Sequence, residues 1–87
     1  MIKPTVGRIV LFYRKHLRTG EVEGPMAAQV AYVHSDRLVN LGVLDPNGVP
    51  FNQTSVKLLQ DDDQPQGDSF WCTWMDYQKE QAAKHAQ

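Results

Sequence analysis

The tetrapeptide Asp45-Pro46-Asn47-Gly48, set between apolar runs at residues 38–44 and 49–59, restricts this chain more than any other stretch. Aspartate is favoured at the first position of a β-turn and proline presets φ at the second. Asparagine tolerates the bridge or left-handed region at the third, and glycine serves the fourth. Before the turn, Val39, Leu41 and Val43 alternate with Asn40 and Gly42, the period of a strand with one buried face. A β-hairpin is therefore predicted, and the remaining strands must pair around it. Gly42 within a strand marks a bulge or bend of the kind a small barrel needs at its corners. Pro50 lacks a donor and belongs at an edge or beside the turn, and the polar run Asn52-Gln53-Thr54-Ser55 interrupts or bulges the far strand.

Elsewhere the chain reads as short strands. Residues 4–8 start the first, and residues 8–13 continue it with Ile9, Val10, Leu11 and Phe12. Residues 14–25 are charged, contain Gly20, Gly24 and Pro25, and read as an exposed, mobile connection. Residues 26–34 form a second strand, with Ala28, Val30 and Tyr32 on one face. Residues 60–68 are a polar loop, and residues 69–75 a fifth strand that puts Phe70, Cys72 and Trp74 on one face. Asp76 is placed to cap a terminal helix over 77–85, and the tail beyond it should fray. The expected fold is all-β: a small SH3-like five-stranded barrel over residues 1–76, with a short C-terminal helix and tail over 77–87. Closure would also remove exposed sheet edges.

Eighty-seven residues make one small domain, which buries only about 60–65% of its unfolded surface and gains from self-association. A homo-oligomer is expected. A net charge of −1 argues against nucleic acid held by bulk charge. The charges are nonetheless segregated: residues 1–20 hold five cations and no acid, while residues 60–76 hold five aspartates and no base. The chain could fold basic end against acidic end, or present one end to an anion. No apolar run approaches the ~20 residues of a membrane span, and the single Cys72 points to a reducing, cytoplasmic setting.

Catalytic and metal motifs are weak. His34-Ser35-Asp36 has the residue types of a hydrolytic triad, but three neighbours in a turn do not converge on one proton path. His16, His34, His85 and Cys72 lack paired metal-ligand spacings. Asp61-Asp62-Asp63 lacks the alternation and glycine of a calcium loop. No enzyme, cofactor or metal is expected. Two features remain. Trp71 and Trp74 are an odd number of residues apart, so one must point away from the main core, toward the terminal helix, a partner or a ligand. Arg14, Lys15, His16 and Arg18 follow directly on Phe12-Tyr13, and arginine grips phosphate while an adjacent ring stacks a base. The expected ligand-binding residues are Tyr13, Arg14, Lys15, Arg18, Asn52, Gln53, Thr54 and Trp71.

The opening Lys3-Pro4-Thr5-Val6-Gly7-Arg8-Ile9-Val10, the aromatic pair after it, Pro46-Asn47-Gly48, Phe51-Asn52-Gln53 and the closing pair Trp71 and Trp74 resemble a group of small proteins of tailed phages and prophages. In that group the second tryptophan is often followed by proline, whereas here Met75-Asp76 leads toward a helix. The resemblance implies a small β-rich accessory protein and supplies no catalytic residues. The function expected is a non-catalytic phage-encoded module acting in the host cytoplasm, binding a host protein or sequestering a nucleotide-like immune signal. The alternative is a structural or assembly component of the virion.

Overall fold

The turn forms as its residues dictate. Asp45 Oδ1 accepts from the backbone N–H groups of Asn47 and Val49, both at 2.8 Å, and the Gly48 N–H donates to the Asp45 carbonyl at 2.8 Å. Gly48 sits at φ 81°, where a β-carbon would be strained. The computed structural model describes residues 1–85 of the 87. It comprises β1 (Ile9–Lys15), β2 (Val22–Ser35), β3 (Leu38–Leu44), β4 (Pro50–Leu59), β5 (Phe70–Thr73) and α1 (Asp76–His85).

The strands close into a barrel in the order β1-β2-β3-β4-β5. All neighbours run antiparallel except β4 and β5, which pair in parallel over Lys57↔Trp71, Leu58↔Cys72 and Leu59↔Thr73. The fold is thus the small SH3-like barrel with a short terminal helix. Period-2 alternation sends Val10, Phe12, Val30, Leu41, Leu58 and Cys72 inward, all essentially without exposure, and burying each large aliphatic or aromatic side chain contributes roughly 1.5–3 kcal/mol. The Cys72 thiol is pushed up to about 12 by burial.

Several sequence expectations are corrected. Residues 4–8 are not strand: Gly7 turns at φ 96°, and β1 begins at Ile9. Residues 14–25 are no loose connection, because Arg14 pairs with Glu23 and Lys15 with Val22, leaving a short tip closed by His16 N–H to the Glu21 carbonyl at 2.9 Å. Gly24 belongs to β2, at the register shift between the Phe12–Met26 and Arg14–Glu23 pairs. It lies at φ 133°, and a β-carbon there would come within 2.7 Å of the Phe12 carbonyl oxygen, so only glycine permits the approach of β1 to β2. The irregularity expected in residues 52–55 is present: Ser55 has φ 54°, and its N–H donates to Asn40 Oδ1 at 2.8 Å.

Asp61, Asp63 and Asp68 of the acidic segment meet cations, none of them a side chain from residues 1–20. Arg37 Nε reaches Asp63 at 2.7 Å, the chain's amino terminus reaches Asp61 at 3.1 Å, and Lys57 reaches Asp68 at 3.2 Å. The Arg37 hydrogen bond, followed by the Gln60 N–H, holds the Asp63 carboxyl below its usual range. Lys57, followed by the Gln66 N–H, does the same for Asp68.

Gln60, expected in a polar loop, is 2% exposed and closes the end of the barrel nearest the chain's beginning. Its Nε2 donates to the carbonyls of Ile2 at 2.7 Å and Asp36 at 2.9 Å, while its Oε1 accepts from Ile2 N–H at 3.2 Å and Trp74 Nε1 at 3.1 Å. An amide has two donors and two acceptor lone pairs, so Gln60 is fully satisfied. Trp74 accordingly lies in the core at 2% exposure, whereas Trp71 points outward, as their odd spacing requires. The helix is capped at Met75, not Asp76: the Met75 carbonyl accepts from Gln78 and Lys79, and Gln78 Oε1 accepts from the Met75 N–H at 2.9 Å. This is the returning half of a capping box. The tail expected to fray, residues 86–87, lies outside the described residues.

Candidate ligand-binding site

The tips of the β1–β2 and β3–β4 hairpins stand at one end of the barrel and frame its mouth. Phe12, Phe51 and Phe70 make the floor, with Phe12 at 6.1 Å from Phe51 and 6.4 Å from Phe70 between ring centroids. Arg14, two residues beyond Phe12 on the same face of β1, lays its guanidinium over the Phe51 ring at 5.3 Å. Glu23, directly opposite on β2, accepts from Arg14 Nε at 3.0 Å and also contacts His16. Its carboxyl is held below the usual range, first by the Arg14 hydrogen bond and also by His16. Gln53 shares the inward face of β4 with Phe51 and is half-buried.

This arrangement fixes an arginine by stacking and by one charge-assisted hydrogen bond through Nε. Its two terminal nitrogens are the ones that form a fork to a carboxylate or phosphate.

The eight expected residues do not form one pocket. Arg14 and Gln53 face the mouth. Lys15 ends β1 opposite Val22, and Arg18 lies in the exposed tip of the same hairpin. Tyr13 and Trp71 pair across β1 and β5 on the outer surface, stacked at 6.0 Å with 14° between planes. Trp71 is only 8% exposed, so an incoming ring meets Tyr13 first. Asn52 points outward beside Gly42, and Thr54 is exposed just before the Ser55 bulge. Sequence reasoning missed Glu23, Phe51 and Phe70 as partners. The signal for Glu23 was the possibility that the charged stretch 14–25 folds back as a hairpin, in which opposite charges face one another across strands.

A concavity of about 580 Å³ lies at the other end, between Ile2, Leu59 and Trp74 of the barrel and Lys79 and Ala82 of α1. Its principal polar groups, Gln60, Asp61 and Asp63, are already engaged by one another's neighbours. Among the described residues no three His, Cys, Asp or Glu side chains are grouped to hold a metal, and no helix is long and apolar enough to cross a membrane. The chain matches no protein-family model, no curated protein and no solved structure.

Proposed function

We propose that the protein is a non-catalytic binding module, phage-encoded and acting on its host, that captures a nucleotide-like anion at the mouth of the barrel. The observation that carries this reading is Arg14, stacked at 5.3 Å on Phe51 and steadied by Glu23 at 3.0 Å. A guanidinium already ordered on a rigid strand loses little conformational freedom when it meets a phosphate. Lys15 and Arg18 lie on the same hairpin and add positive charge.

The test is thermal unfolding with a panel of mono-, di- and cyclic nucleotides. Ligand at 100 times Kd adds about 2.7 kcal/mol, a rise of roughly 10–20 °C in a domain of this size. Arg14→Ala should abolish the rise and Arg18→Ala reduce it. A melting temperature that no member of the panel moves overturns the proposal.

A further inference from the structure

One edge of β4 is unpartnered. Against β3 the strand is paired from Pro50 to Lys57, but against β5 only through Lys57, Leu58 and Leu59. Residues 50–56 therefore have no strand on that side among the described residues, and none of the seven is charged. The contrast with β2 is informative. Its β1-paired end, residues 22–26, also lacks a β3 partner, yet it carries Glu23 and Pro25, two of the devices that keep sheet edges from pairing. On β4 the only such devices stand at the limits of the stretch: Pro50 beside the turn, and Ser55, bulged at φ 54° with its N–H bound to Asn40. Between them Phe51, Asn52 and Gln53 keep regular register with β3 and form an uncharged edge, which ends where Thr54 and Ser55 bulge opposite Asn40. A row of edge N–H and C=O groups is matched in series by another extended strand.

We infer that this edge pairs antiparallel with the same edge of a second copy of the chain, about a two-fold axis at Asn52. Opposite residues of an antiparallel pair project to the same face of the sheet. Asn52 facing Asn52 puts Phe51 opposite Gln53, so inward side chains meet inward ones and the two amides lie together on the outside. The outward row leading away from Asn52 through Gly42, Gln29 and Ile9 is uncharged too, so no like charges meet on that face. The short free stretch is bounded at both ends, and each copy uses the edge it offers, which closes the assembly at two. This inference does not depend on what the mouth binds.

Sedimentation equilibrium from micromolar to millimolar protein should show a monomer–dimer equilibrium. Asn52→Lys sets two cations at the axis and should weaken dimerisation at least tenfold. Because the position is exposed, circular dichroism and the unfolding of the dilute monomer should not change. In Asn52→Cys the two new thiols would sit on opposed residues whose Cα atoms are about 4.5–5.5 Å apart, within disulfide reach. Mild oxidation should then yield a covalent dimer that reductant reverses, with buried Cys72 silent. A wild-type chain that stays monomeric at millimolar concentration overturns the inference. So does a dimer that Asn52→Lys leaves intact and Asn52→Cys does not cross-link.

Discussion

Replacing Gln60 by leucine removes one side chain and strands four partners at once. Leucine is similar in size and apolar, so little cavity arises and the cost is almost wholly one of hydrogen bonding. The Trp74 indole N–H is buried and loses its acceptor, which costs about 1–3 kcal/mol. The Ile2 N–H, the Ile2 carbonyl and the Asp36 carbonyl are only part-buried. Water can reach them, so each loses nearer ~0.5–1 kcal/mol, the net value of an ordinary hydrogen bond. The sum is about 2.5–6 kcal/mol. A domain of this length has roughly 4–13 kcal/mol in all, so the variant should melt at least ~10 °C lower.

Urea denaturation followed by tryptophan fluorescence measures the loss. A double-mutant cycle with Trp74→Phe isolates the indole: where the N–H is already absent, Gln60→Leu should cost at least ~1 kcal/mol less than in the wild type. A loss under ~1 kcal/mol, or a cycle that closes without coupling, would refute the role of Gln60 as the hub that ties the chain's start to the last strand.

Three further outcomes are expected. Gly24→Ala should cost about 2–5 kcal/mol by urea denaturation, since backbone strain and overpacking against Phe12 and Tyr13 act together; a change within ~0.5 kcal/mol would contradict the close approach of β1 and β2. Asp63 has its folded pKa lowered by Arg37, so its contribution is present at neutral pH and disappears as pH falls from the ordinary carboxylate range through the lower folded value. The gap in melting temperature between wild type and Asp63→Asn should accordingly narrow as pH falls below the ordinary carboxylate range of about 4, and at high salt because the pair is exposed. Cys72, with its thiol pushed up to about 12, should resist an aromatic disulfide reagent at pH 8 in the native state and react promptly in urea; rapid native labelling would show that the core opens there.

Local rules reached far into this fold. The turn residues and the alternation of Val39, Leu41 and Val43 located β3 at residues 38–44, its bounds in the structure, because turn geometry and period-2 burial are properties of adjacent residues. The same parity required one tryptophan to leave the main core, and the structure makes it Trp71. The candidate site was legible in part: Arg14 and Gln53 do face the mouth, but their platform and counter-ion were not apparent, since Phe51 and Glu23 come from other strands.

What the amino-acid order determined by itself was the set of strands, the turn between β3 and β4, and the inward face of the regular stretches; Tyr32, expected on one face with Ala28 and Val30, is turned out by the register shift after Val30. Tertiary structure alone decided which charge meets which. Arg14 turned to Glu23 and the acidic loop to Arg37, Lys57 and the amino terminus, because strand register and barrel closure set those distances. It decided likewise that Gln60, polar and set in a polar run, is buried, since four groups from Ile2, Asp36 and Trp74 converge on it only once the barrel has closed.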